Sequence, residues 1–182
     1  ERAGDPHAPA RPGPGAQAAQ APVPQRSVLA SLPATPSVRL ERDALMAMLQ
    51  QAPAIGAELM TQAVTAEVGD PTLRTVRDAI AAALPGLGAE DWLERVAAEA
   101  PPQYAGVIRE LAIAPIPQRK PELLGDYARA VVVSLLDRDL LSLKAELVAR
   151  MQRIGDPSDP ASRRIQEQLA ALELARRSLR AD

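Results

Sequence analysis

Apolar residues recur every three or four positions in the last part of the chain and predict two amphipathic helices. They run from Leu136 to Ile154 and from Ser162 to Arg180, and Gly155–Pro160 joins them as a turn. The spacing marks one face of each α-helix. The apolar positions are Leu136, Leu140, Leu143, Leu147, Met151 and Ile154, followed by Ile165, Leu169, Leu172, Ala175 and Leu179. Two helices alone bury little apolar surface, so the pattern favours a hairpin that binds another protein.

Helix signals also fill the region before this hairpin. Ser37 is a candidate cap for a first helix that runs to about Gln51, and Asp70-Pro71 opens another helix that stops at Pro85. From Pro121 the sequence stays helical to about Ile154. The only β-branched run lies inside this long segment of helix formers. We therefore predict an all-α protein with a helical bundle over residues 37–137, then a long helix and a C-terminal helical hairpin over residues 138–182.

Residues 1–36 differ in composition from the rest of the chain. They hold eight of the 18 prolines, and most of their other residues are Ala, Gly and Gln. Such a sequence buries too little apolar surface to offset its loss of conformational entropy on ordering, so we predict a disordered Pro/Ala-rich linker. Val28, Leu29 and Leu32 are apolar and give a weak signal for a docking motif within it.

Charge divides the chain at the same place as the hydrophobic pattern. Residues 39–137 hold nine basic and 14 acidic residues, whereas residues 138–180 hold nine basic and six acidic ones. The bundle is therefore acidic and the hairpin mildly basic, which predicts different surroundings for the two parts. The overall net charge of −2 argues against a dedicated nucleic-acid-binding protein, so we expect little direct contact with nucleic acid.

The residue types needed for catalysis or metal binding are scarce. His7 is the only histidine, cysteine is absent, and no Gly-rich phosphate loop is present. We therefore predict no catalytic residue, no metal site and no cofactor. Asp137-Arg138-Asp139 resembles an acidic metal-binding pair, but residues two apart on a helix point in different directions. We interpret it as a solvent-exposed helix face.

No apolar run approaches the ~20 residues that span a bilayer, and no signal peptide is recognisable at the N-terminus. The sequence thus predicts a cytoplasmic protein without membrane association. The chain begins at Glu1 rather than Met, which is typical of a fragment of a longer protein.

The hairpin contains more apolar residues than its two helices need to pack against each other. Leu141 and Val148 lie about 100° around the helix from Leu140 and Leu147, and Leu174 lies off the inner stripe of its helix. One interpretation is scattered surface residues, which are common. The other is a patch that faces a partner and is rimmed by basic side chains. Those basic residues are Arg150, Arg153, Arg164 and Arg177.

The segment from about Ser37 to Asp182 resembles the C-terminal helicase-binding domain of bacterial DNA primase of the DnaG type, in its actinobacterial form. The resemblance rests on five stretches in matching order and spacing over roughly 145 residues. They are LERDALMAMLQQAPAIG at Leu40, DPTLRTVRDAI at Asp70, IRELAIAPIP at Ile108, LKAELVARMQRIGDP at Leu143 and LAALELARRSLR at Leu169. The chain departs from the usual pattern at Asp70-Pro71, where the family has His-Pro.

The resemblance implies a non-catalytic module whose hairpin docks on the N-terminal domain of the hexameric replicative helicase and recruits primer synthesis to the replication fork. It also implies that basic residues near the first helix, here Arg39 and Arg42, bind the acidic C-terminal tail of single-stranded-DNA-binding protein. Zinc and magnesium would belong to parent domains upstream of this fragment. The alternative left open is a free-standing helical adaptor or coiled-coil scaffold.

Overall fold

The computed structural model describes residues 27–156 and 158–181, and every regular element in those ranges is helical. The all-α prediction is confirmed. Eight α-helices follow one another in this part of the chain, with short 3-10 turns between some of them. They are α1 (Pro36–Gln50), α2 (Ala52–Ile55), α3 (Ala57–Ala63), α4 (Pro71–Ala83), α5 (Trp92–Glu99), α6 (Ala105–Ile113), α7 (Leu124–Ile154) and α8 (Pro160–Ala181).

The helix ends follow local sequence chemistry. Asp70 caps α4 as predicted, because its carboxylate accepts hydrogen bonds from the backbone N–H groups of Thr72 (2.9 Å) and Leu73 (3.1 Å). The predicted cap of α1 is wrong by two residues. Thr35 caps that helix, and Ser37 lies inside it, where its hydroxyl donates a hydrogen bond to the Glu41 carboxylate.

The core of the bundle forms around α1, which contacts α4, α6 and α7. Its largest fully buried side chains come from several helices and form one continuous cluster. They include Leu45, Met48, Ile55, Met60, Leu73, Ile80, Ile108 and Leu111. Aliphatic and methionine side chains thus build this core, and the buried face of the single tryptophan, Trp92, adds to its edge.

The long helix α7 connects the bundle to the hairpin. Its first half packs on α1, α2 and α3, and its second half packs antiparallel against α8. Gly155 ends α7 with a left-handed backbone conformation (φ 71°) that favours glycine. At ~1.5 Å per residue its 31 residues span about 46 Å. The predicted single long helix is therefore observed, with its first α-helical turn three residues later than Pro121.

The linker prediction differs from the structure in its last ten residues. Residues 1–26 lie outside the described part of the chain, but Leu29–Ser31 forms a 3-10 turn. Leu29 and Leu32 pack against the bundle core, and the backbone N–H of Val28 donates a hydrogen bond to the Glu110 carboxylate. Composition predicted disorder because Pro, Ala and Gln dominate the segment as a whole. Contacts of two leucines with the core are nevertheless enough to hold these few residues on the bundle.

Candidate functional site

The inner face of the hairpin is closed by a small apolar cluster. Leu147, Ile165 and Leu172 are buried there, and four partly buried residues surround them: Leu140, Met151, Ile154 and Leu169. The predicted inner stripe is correct for these positions. It is wrong at Leu143 and Ala175, which are exposed, and at Leu136 and Leu179, which pack against the core of the bundle instead.

Leu174 lies on the outer side of α8. It follows Ile165 by nine residues, which turns it about half a revolution from the inner face, and its exposed fraction is 65%. Arg177 is its neighbour one turn further along and is also exposed. The outer side of α8 therefore presents an apolar side chain beside a cation.

Two further apolar positions lie on the flanks of α7. Leu141 (45% exposed) and the half-buried Val148 are seven residues apart and so share one flank. Leu143 (47% exposed) lies on the opposite flank, seven residues before the exposed Arg150. Sequence periodicity missed Leu143, since its spacing of three from Leu140 is equally compatible with an inner position.

The remaining basic residues predicted to rim the patch, Arg153 and Arg164, are both exposed. They do not meet at a single point. Arg153 lies near the end of α7 on the side away from its inner stripe, and Arg164 lies in the first turns of α8. The structure therefore does not bring the seven predicted residues together at one point, and Leu174 with Arg177 places an apolar side chain and a cation within one turn of each other on α8.

The charged turn at the base of the hairpin is bonded to three different parts of the protein. Asp137 accepts hydrogen bonds from Arg176 Nε (2.7 Å) and Arg180 Nη2 (2.7 Å) of α8. Hydrogen bonds from these two arginines lower the pKa of Asp137 below its usual value, against the opposing effect of burial. The predicted solvent-exposed helix face is thus wrong: the tertiary fold brings two cations to Asp137 from about 40 residues away in sequence.

The next two residues of this turn bind the bundle. Arg138 Nη1 donates to Glu41 Oε1 (2.8 Å) and to Ser37 Oγ (2.9 Å) of α1. Asp139 accepts a hydrogen bond from the backbone N–H of Glu67 in the loop between α3 and α4. Glu41 is only 2% exposed, so Arg138 compensates a buried charge.

A cleft of about 1110 Å³ lies between α3, the middle of α7 and the C-terminal end of α8. Its walls include Leu59, Val133, Leu136, Leu140 and Leu179, and its rim includes charged side chains from both regions. The cleft separates α3 from the end of α8, so these two elements are not packed tightly together along their lengths.

Arg39 and Arg42 meet at a smaller pocket of about 250 Å³. Leu29, Leu32 and Val38 form its apolar walls. Arg39 is exposed, whereas Arg42 forms an ion pair with Asp43 at 2.8 Å. The two arginines that the family resemblance singled out therefore do share a concave surface, which the segment before α1 completes.

Metal-ligand chemistry is sparse in residues 27–156 and 158–181. They contain no group of three or more His, Cys, Asp or Glu side chains with the arrangement of a metal site. Among the helices of these same ranges, none is both long and apolar enough to cross a membrane. The surface features described above for these residues are apolar and charged patches on helices, which are typical of a protein-docking module.

Comparison with known proteins identifies the kind of docking module. The family model described as DNA primase DnaG DnaB-binding matches residues 41–174, about three quarters of the chain. The chain belongs to this family and is a non-catalytic, helicase-binding domain of the DnaG primase type. The alternative of a free-standing adaptor is not favoured.

A solved structure supports the same assignment. The helicase-binding domain of primase from Mycobacterium tuberculosis is similar with a TM-score of 0.62 and 27% sequence identity. The similarity covers 78% of this chain and 90% of that one. No curated protein sequence matches the chain.

Proposed function

We propose that the hairpin of α7 and α8 docks on the N-terminal domain of the hexameric DnaB-type helicase and so brings primer synthesis to the replication fork. The proposal rests above all on Leu174, which is 65% exposed on a helix whose inner face is already closed by other leucines. A large apolar side chain that the domain does not need for its own packing favours a surface that a partner covers, and arginine, here Arg177, is enriched among interface hot spots.

The other predicted residues have graded roles in this proposal. Leu141 and Val148 extend the contact along one flank of α7, and Leu143 is an additional candidate on the other flank. The exposed arginines at positions 150, 153 and 164 lie farther from Leu174, where they favour encounter with an acidic surface more than they add to final affinity. Arg177 is the arginine that we expect to be buried on docking, because it lies within one turn of Leu174.

Leu174→Asp tests this contact directly. We expect the affinity for the helicase N-terminal domain to fall by at least about 30-fold, which corresponds to about 2 kcal/mol for a carboxylate buried without a partner. The circular dichroism spectrum and melting temperature of the free domain should stay unchanged, because Leu174 makes little contact within it.

Ile113→Asp is the matched control. Ile113 is the most exposed large apolar residue in the described part of the bundle, at 83%, but lies at the end of α6 away from the hairpin helices. Its substitution should leave helicase affinity unchanged. Equal affinities for Leu174→Asp and the unchanged protein would contradict the proposed contact, and Leu141→Asp and Leu143→Asp would then locate it on one of the two flanks.

A second function is favoured by the pocket at Arg39 and Arg42. We propose that it receives the acidic C-terminal tail of single-stranded-DNA-binding protein, because it combines apolar walls with two cations. Arg39→Ala should weaken binding of a tail peptide by about tenfold in fluorescence polarisation, whereas Arg109→Ala, an exposed arginine on α6, should have no effect. If both variants bind the peptide equally well, the tail binds elsewhere.

We also propose that docking requires no metal or cofactor, since the contacts invoked above are apolar and ionic. Helicase affinity should be the same with and without EDTA for the isolated domain, provided that the partner is pre-equilibrated under each condition. A loss of affinity that zinc or magnesium restores, with the partner's own fold intact, would contradict this expectation.

A further inference from the structure

We propose that the single turn Asp137–Asp139 of α7 is a joint that fixes the angle between the docking hairpin and the bundle, with Asp137 as a positioning residue for helicase docking. The joint itself follows from contacts within this chain. Its effect on docking rests on the helicase-binding role proposed above for the hairpin.

The bundle side of the joint is made by Arg138 and Asp139. The guanidinium of Arg138 contacts the Glu41 carboxylate, the Ser37 hydroxyl and the backbone carbonyl of Glu67. Asp139 accepts from the Glu67 N–H and also receives the Arg138 guanidinium at 2.8 Å. This turn of α7 is therefore bonded to α1 and to the loop before α4, which are distant from each other in sequence.

Glu41 extends these bonds further into the bundle. Its carboxylate accepts hydrogen bonds from the backbone N–H groups of Gly69 (3.1 Å) and Asp70 (3.4 Å), immediately before α4. Because Asp70 is also the cap of α4, the position of the joint is tied to the start of that helix. Charge-assisted bonds of this kind are directional, so they define an orientation as well as a contact.

The hairpin side of the joint is made by Asp137 alone. Its two carboxylate oxygens receive Arg176 and Arg180, which are one turn apart on α8. The side chains of Asp137 and Arg176 are only 14% and 15% exposed, so solvent screens this pair weakly. Three consecutive residues thus hold three separate elements, and Asp137 is the member that holds α8.

Direct apolar contact between α8 and the bundle is sparse, although α7 passes from the bundle into the hairpin as one helix. The cleft of about 1110 Å³ lies between the end of α8 and α3, so close packing does not enforce their distance. Leu179 is the partly buried apolar residue of α8 that packs against the bundle core. A single contact of this kind allows α8 to rotate about Leu179, whereas the hydrogen bonds from Arg176 and Arg180 to Asp137 oppose that rotation.

Because α7 extends far beyond the joint, a small change of angle there moves the tip of the hairpin by a large distance. From Asp139 to Ile154 the helix α7 extends about 22 Å at ~1.5 Å per residue. A change of 10° at the joint would therefore displace the tip of the hairpin by about 4 Å. An interface needs its contacts placed far more accurately than this, so a loose joint lowers the fraction of molecules that are ready to bind.

The angle can be measured because the chain contains no cysteine. Cysteines introduced at the exposed positions Glu99 on α5 and Gln166 on α8 take spin labels, and their distance distribution is measured by double electron–electron resonance on the 182-residue chain. We expect a narrow distribution for the otherwise unchanged protein. Asp137→Arg, which repels Arg176 and Arg180, should broaden or shift it.

Exchanging the charges of Asp137 and Arg176 distinguishes a change in the orientation of the hairpin from a general loss of stability. Asp137→Arg combined with Arg176→Asp exchanges the two charges, and we expect it to restore a narrow distribution. If Asp137→Arg does not fold, as judged by circular dichroism, Asp137→Asn removes the charge while retaining the size and gives the same test. Lys144→Ala is the control: Lys144 pairs with Glu173 between the same two helices, but these side chains are more exposed (42% and 37%) than Asp137 and Arg176, and Glu173 keeps its own neighbour Arg176 at 3.7 Å when Lys144 is removed.

Affinity for the helicase N-terminal domain provides the functional readout. We expect Asp137→Arg to weaken it by about tenfold, the charge exchange to recover most of that loss, and Lys144→Ala to change it little. A distance distribution that is unaffected by Asp137→Arg or Asp137→Asn would overturn the joint. A changed distribution with unchanged affinity would overturn its role in docking. If the unchanged protein does not bind the helicase at all, the proposed docking fails while the distance measurement still decides whether the joint exists.

Discussion

The bundle and the hairpin bury apolar side chains in different ways. In the bundle, residues such as Leu45, Leu73 and Leu111 from three separate helices are fully buried in one cluster. In the hairpin, the three most buried residues form a seam one side chain deep between two helices. A core that several helices share is stable by itself, whereas a two-helix seam leaves the outer sides of both helices exposed. The hairpin is therefore suited to present a surface, and the bundle to hold it.

Exposed large apolar residues occur in both regions, and Ile113 of the bundle is the most exposed of those described at 83%. What differs between the regions is the charge around these residues. Leu141, Leu143 and Leu174 all belong to the hairpin and exceed 40% exposure. They lie among basic side chains in a region whose net charge is +3, while the bundle is net −5. If the proposed docking is correct, stability and binding belong to different regions, and substitutions should affect them separately.

The largest loss of stability should come from the bundle core. Leu111→Ala removes a fully buried side chain and leaves a cavity among several helices, so the free energy of unfolding should fall by about 2–5 kcal/mol. Chemical denaturation with one cooperative transition measures this change. Ile113→Ala, on the same helix but exposed, should cost less than about 0.5 kcal/mol. Similar losses for both would mean that the bundle core is not as described.

Leu172→Asp should have a smaller and regional effect. Leu172 is buried in the seam beside Ile165 and against Leu147, so a carboxylate there would lose this apolar environment, and the hairpin should open while the bundle stays folded. Hydrogen exchange should then show loss of protection in α8 and the second half of α7, with α4 and α6 still protected. Loss of protection throughout the chain would mean that the two regions unfold as one unit.

Removal of residues 1–33 should cause a modest loss. Leu29 and Leu32 would no longer cover the bundle, and we expect the free energy of unfolding to fall by about 1–2 kcal/mol. A shorter deletion, of residues 1–26 only, distinguishes this contribution from that of the Pro-rich segment before it. Equal melting temperatures for both deletions would show that residues 27–33 add no stability. The boundary between linker and bundle would then lie at residue 36, as composition predicted.

The smallest effect should appear on acidification. The pKa of Asp137 is lowered in the folded state, so its unfolded form binds protons more readily. Its contribution to stability is present above the unfolded pKa of about 3.9 and is lost as pH falls through the lower folded value. The difference in stability between the unchanged protein and Asp137→Asn should therefore shrink below pH 4. A difference that is constant from pH 7 to pH 2 would contradict the pairing with Arg176 and Arg180.

Local sequence determined the helices of this protein. The cap at Asp70, the turn at Gly155 and the spacing from Leu140 to Ile154 act over a few residues, so they could be recognised without knowledge of the fold. The outward position of Leu174 follows from the same periodicity. Ordered family motifs then indicated the class of domain, which a single helix pattern could not have distinguished from other helical adaptors.

Only the tertiary structure decided what the faces of those helices meet. Leu143 and Leu179 share the spacing of the inner stripe, but one is exposed and the other packs on the bundle. Asp137 has the local sequence of a solvated helix face and is instead held by α8. The physical reason is that periodicity specifies which residues share a side of a helix, whereas burial and ion pairing depend on elements distant in the chain. The joint at Asp137–Asp139 exists only once those elements have come together.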